Sequence, residues 1–126
     1  MRDSFQPPTE RAPLPELAIV FPILPGMAVH VERLAAELSG PKYSEYCESQ
    51  RKLGIRKERW FLNRTPQGDS VTVYVEAEDV VRALGKLVAS KDPTDLWLKE
   101  EVRRVTGVDF SGPSLALPTV LLRYPA

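Results

Sequence analysis

The chain has 126 residues, 43% hydrophobic and 27% charged, which suits one globular domain and is too short for two ordinary ones. Lys plus Arg (17) equals Asp plus Glu (17), so the formal net charge is zero. That balance argues against nucleic acid as a partner, since a basic field normally supplies the non-specific affinity, and it leaves self-association unopposed.

A single cysteine, Cys47, rules out an internal disulfide. One His and one Cys leave no ligand set for a zinc site, and no metal or other cofactor is expected. No apolar run approaches the ~20 residues of a membrane helix, so no membrane partner is expected. The opening "MRDSFQPPTERAPLPE" lacks the apolar core of a secretory signal, which makes a cytoplasmic protein the natural reading. Pro7, Pro8, Pro13 and Pro15 make residues 1–15 an extended tail, with one domain over residues 16–126.

"ELAIVFPIL" is short and continuously apolar, which predicts a strand, and Pro25 and Gly26 end it, with Pro25 suited to the first turn of a helix. Met27, Val31, Leu34 and Leu38 then recur at helical spacing. After the break at Ser39, Gly40 and Pro41, "KYSEYCESQRKLG" predicts a second helical piece. Tyr43, Tyr46, Cys47 and Gln50 fall on one side of it, and Gly54 is its stop.

"RKERWFLNR" and "DSVTVYVE" around "TPQG" predict a hairpin in which Arg64 faces Asp69 and Trp60 faces Val73. One face then carries Trp60, Leu62, Val71, Val73 and Val75. The other carries Arg59, Phe61, Asn63, Thr72, Tyr74 and Glu76. "EDVVRALGKLVAS" predicts a helix, and "DPTDLWLKEEVRRVTG" another, with Asp92 as N-cap, Pro93 at its first position and Gly107 as its end. A loop, "SGPSLALP", leads to a last predicted strand, "TVLLRYP".

The order is that of an α+β, ferredoxin-like βαββαβ sandwich with an extra helix before the last strand. Its antiparallel sheet would have four strands, helices on one face, and Phe61 and Tyr74 on the other. Burying apolar area is worth roughly 25 cal/mol per Å², so a C2 homodimer that packs sheet on sheet would cover that second face.

"FPILPGMAVHVERLAAELSGPKYSEYCESQRKLGI", "TPQGD", "YVEAED" and "SKDPTDLWLKEEVRRVTGVD" resemble an uncharacterised bacterial family of the dimeric α+β barrel superfamily, near the antibiotic-biosynthesis-monooxygenase-like proteins. The resemblance spans about residues 16–110. It implies a dimeric barrel and, for a catalytic member, cofactor-independent oxygenation or proton-transfer chemistry (cyclase or isomerase) on an aromatic or polyketide-like substrate. No catalytic motif of a characterised branch carries over residue by residue.

Five residues stand out for such chemistry. His30 is the single histidine and the candidate base, against the plainer reading of a half-exposed helix residue. Tyr46 is the candidate hydrogen-bond donor. Tyr43, Trp60 and Asn63 are candidates for binding a small hydrophobic or aromatic ligand, against the plainer reading of helix–sheet packing. Cys47, with Arg51 and Lys52 near it, reads as structural, and "KEEVRR" as a solvated face. A non-catalytic dimeric binding or stress-related module, with a cavity filled by its own side chains, stands as the alternative.

Overall fold

The computed structural model describes residues 12–110 and 117–125. Three strands and four helices follow in the order β1 (Glu16–Pro22), α1 (Ala28–Ser39), α2 (Tyr43–Leu53), β2 (Ile55–Thr65), β3 (Gly68–Ala77), α3 (Val80–Ala89) and α4 (Pro93–Thr106). The strands form an antiparallel sheet in the order β1-β3-β2. The chain is thus α+β, with β3 at the centre.

Strand alternation decides the layering. In β1, Leu17, Ile19 and Phe21 are buried, while Ala18 and Val20 between them are exposed. These residues join Val71, Val75, Val31, Ala83, Leu84 and Val105 in one core between sheet and helices. The hairpin has the expected register: Arg64 pairs with Asp69 and Trp60 with Val73, and the ladder closes one pair further, at Thr65 and Gly68. Trp60 and Leu62 pack against the core; Arg59, Phe61 and Asn63 face away from it. A register irregularity between Ile55 and Lys57 inserts Arg56, so Ile55 faces the core alongside Glu58 instead of being displaced by parity.

The helix ends follow local chemistry. Asp92 caps α4, its carboxylate accepting from the Thr94 amide at 3.0 Å, with Pro93 in the first turn. Gly54 and Gly107 close α2 and α4 in the left-handed region, at φ +83° and +77°. Pro25 and Gly26 form the turn before α1 rather than its first turn, which is a correction to the helix start.

The four-stranded sheet requires a larger correction. The predicted last strand is absent: residues 117–125 carry no strand, and Leu121, Leu122 and Tyr124 are 93%, 86% and 96% exposed. The position beside β1 where a fourth strand would sit is empty among the described residues. The β propensity of "TVLLRY" has no partner here, and a strand without a ladder does not form.

The N-terminal tail is shorter than expected. Leu14 packs on the core, its carbonyl accepts from the Val80 amide, and the Pro15 carbonyl accepts from the Ala77 amide. The tail reading for residues 1–11 and the loop reading for residues 111–116 lie outside the described residues.

Two glycines test the helical geometry with opposite signs. Gly85 lies within α3 and an added Cβ meets open space. Gly85→Ala is expected to raise the unfolding free energy by roughly 0.5–1 kcal/mol. Gly107→Ala forces a side chain into the left-handed region and is expected to lower it by roughly 1–2 kcal/mol. Urea titrations of both variants at one protein concentration check the signs.

Candidate functional site

A cavity of about 80 Å³ lies between the sheet and the helices. Its wall is mostly apolar, with Ile19, Phe21, Val71, Val73, Leu84 and Val102 among its lining. Four polar or charged side chains interrupt that wall: Gln50, Glu58, Lys99 and Thr106.

Glu58 is the chemically distinctive one. It is placed on the core face of β2 by the same alternation that places Trp60 and Leu62, and it pairs with the buried Val75 of β3. Its carboxyl group is enclosed by donors from two elements. The Trp60 Nε1–H donates to Oε2 at 2.6 Å, and the Gln50 amide donates to Oε1 at 2.8 Å. The Tyr46 hydroxyl also hydrogen-bonds to the carboxyl group and accepts from the Gln50 amide at 3.3 Å. Burial raises the Glu58 pKa above the ordinary carboxylate range, although the hydrogen bonds from Trp60, Gln50 and Tyr46 pull the other way. Burial also raises the Tyr46 hydroxyl, with the neighbouring Glu58 charge adding to the shift.

A second polar group braces the cavity wall. Asp95, 4% exposed, accepts from the Ser49 hydroxyl of α2 and from the Ser90 hydroxyl at 2.5 Å. Lys99, 5% exposed, donates at 3.0 Å to the carbonyls of Val88 and Ser90, capping the end of α3. Every buried side-chain nitrogen and oxygen among the described residues has a partner, so this network is satisfied and reads as a brace between α2, α3 and α4.

The residues singled out from sequence divide. Trp60 lines the cavity, and Tyr46 reaches the carboxyl group that Trp60 also holds. His30 is half-exposed on α1 and does not line the cavity. Tyr43 is 55% exposed, so the inner side of α2 carries Tyr46, Ser49, Gln50 and Leu53 instead of Tyr43 and Cys47. Helix α2 turns its Cys47 to solvent. Asn63 lies on the open face of the sheet, where its amide donates to Thr72 at 3.0 Å. Arg64 pairs with Glu32 at 3.2 Å on the surface.

Sequence reasoning passed over Glu58. The signal was available: in "ERWFL", Glu58 stands two residues before Trp60 and so shares its face.

Among the described residues no group of His, Cys, Asp and Glu could hold a metal ion, and no helix is long and apolar enough to cross a membrane. Comparison with known proteins found no matching family model, no matching curated protein and no matching solved structure.

The raised Glu58 pKa links stability to pH. The folded chain holds this proton more tightly than the unfolded chain, so the stabilisation is fully present below the unfolded pKa. It is lost as pH rises from there through the folded pKa. Across that window Glu58→Gln is expected to gain stability relative to the parent as pH rises. Thermal denaturation of both chains at several pH values checks the slope. The indole N–H resonance of Trp60 should titrate with an inflection above the ordinary carboxylate range, and Glu58→Gln should remove it.

Proposed function

We propose that the protein binds a small, mostly apolar molecule in the cavity, with the molecule's polar group against Glu58, and that Glu58 moves a proton on it. The observation that supports this is the placement of one enclosed carboxyl group, with a raised pKa, in a mostly apolar wall. A raised carboxyl titrates nearer neutrality, where proton transfer by a positioned side chain is effective. Trp60 and Gln50 hold it by donating to its oxygens, and the same Gln50 amide also donates to the Tyr46 hydroxyl at 3.3 Å.

In this reading the base is Glu58 rather than His30, which stands apart from the cavity. The reaction class is that implied by the family resemblance: removal of a proton from a phenol or enol without a cofactor. Asn63 and Tyr43 have no part in it. The size of the cavity limits the ligand. Drug-sized ligand sites run to several hundred Å³, and a closed apolar cavity of ~150 Å³ holds a benzene-sized molecule. At about 80 Å³ the cavity suits a fragment of that order with some side-chain adjustment. A polyketide-like substrate would require it to open several-fold.

The same small volume favours the second reading, a non-catalytic module whose cavity its own side chains nearly fill. Both readings include a homodimer of the α+β barrel kind. What supports the dimer is the open face of the sheet, where Val20 and Phe61 are 62% and 53% exposed beside Tyr74.

Phenol and toluene are suitable probes. With two tryptophans in the chain, Trp97→Phe assigns the Trp60 indole resonance. Phenol is expected to shift that resonance at millimolar concentration, with toluene weaker and Glu58→Gln weakening phenol by about tenfold, the worth of one hydrogen bond to a charged or acidic group. His30→Ala should leave phenol binding unchanged. No shift with either probe would leave the filled module as the reading.

A further inference from the structure

Among the described residues two features are each left without a partner, and each fits the other. The first is the outer edge of β1. An edge strand exposes unpaired N–H and C=O groups, and proteins normally guard such edges with charges, bulges or very short strands. The other edge of this sheet is guarded in that way: β2 carries Arg56, Lys57, Arg59 and Arg64 and has the irregularity at Ile55/Lys57. β1 is guarded only at its two ends, by Glu16 and Pro22; between them Leu17 to Phe21 is an uncharged run, paired to β3 in unbroken register. The second feature is the segment after the core. Leu117 packs on the core cluster, and beyond it Thr119–Tyr124 stands in solvent between Pro118 and Pro125. Val120, Leu122 and Tyr124 would share one side of an extended strand, with Thr119, Leu121 and Arg123 on the other.

We infer that residues 119–124 of one copy add as a strand to the free β1 edge of a second copy, reciprocally about a two-fold axis. The lengths agree. Six extended residues span about 20 Å at ~3.3 Å each, close to the reach of the seven-residue β1. The attachment point also agrees: Leu117, just before the segment, packs on the same core cluster as Leu17, Ile19 and Phe21 of β1. The occupant is the partner's segment rather than the chain's own, for two reasons. Among the described residues of the single chain, no segment pairs with the outer edge of β1. A fourth strand from the same chain would also leave the open face, with Val20 and Phe61, in water. A second copy covers edge and face together, and the zero net charge offers no repulsion to it. The inference rests on the dimer reading above and adds which segment holds the dimer together.

Size-exclusion chromatography with light scattering, on the full chain, a chain ending at Leu117 and the full-length Leu122→Asp variant, tests it. Leu122 is 86% exposed, so its replacement should not disturb the fold of a single chain. The full chain is expected to be a dimer. Both variants should dissociate at concentrations about tenfold higher or more, with unchanged circular dichroism, because each loses apolar area that the strand would bury. In a dimer mixed from labelled and unlabelled chains, isotope-filtered NOEs between residues 119–124 and Val20 should be intermolecular. Intramolecular NOEs, or a dimer whose affinity truncation leaves unchanged, would overturn the exchange and leave a face-to-face dimer standing. A monomeric full chain would overturn both.

Discussion

β3 hydrogen-bonds to β1 on one side and to β2 on the other, so its alternation decides which side chains of all three strands face the helices. Val71 and Val75 are buried, and Val73 between them lines the cavity. Their partners across the two ladders are Phe21, Ile19 and Leu17 on β1, and Leu62, Trp60 and Glu58 on β2. A slip of one residue would exchange this set for Ala18, Val20, Arg59, Phe61 and Asn63, which no core could accept. The core, the cavity and the position of Glu58 therefore follow from one register.

That register carries a cost at a single position. Every other hairpin residue that lines the cavity is apolar or aromatic, whereas Glu58 brings a carboxyl group into the wall. An enclosed carboxylate without a cation beside it disfavours its own charge, and this is the physical origin of its raised pKa. Trp60, Gln50 and Tyr46 offset part of that cost by hydrogen bonding. The Asp95 group differs in kind. There the carboxylate accepts from Ser49 and Ser90, joining α2 and the end of α3 to the first turn of α4, and Lys99 ties down the end of α3. One network holds helices in place, and the other presents a titratable group to a space.

The second face of the sheet and its β1 edge raise the same physical question from two directions. An apolar side chain in water and an unpaired backbone group are both tolerable on a small scale, and both invite a partner when they are contiguous. Val20 lies on β1 and belongs to both surfaces. The segment from Thr119 to Tyr124 has the opposite need, since its side chains favour a strand and it has no ladder to join.

Most of the fold was legible because it is encoded locally. Helical spacing located α1, α3 and α4, the Asp92–Pro93 pair and Gly107 marked the ends of α4, and two-residue alternation placed the hairpin in its observed register. Of the site, Trp60 and Tyr46 were legible as inward aromatic groups on their own elements. Period and capping act over a few residues, so the amino-acid sequence by itself determined the seven observed elements, their order and the inward faces of the three strands and of α1. It did not determine what those faces meet. That Tyr43 turns outward, that His30 stands off the cavity, and that Gln50 of α2 and Trp60 of β2 converge on Glu58 depend on how α2 lies against β2. The missing fourth strand has the same cause: "TVLLRY" has the local preference of a strand, but a strand exists only where another offers it hydrogen bonds, and that is a property of the tertiary structure.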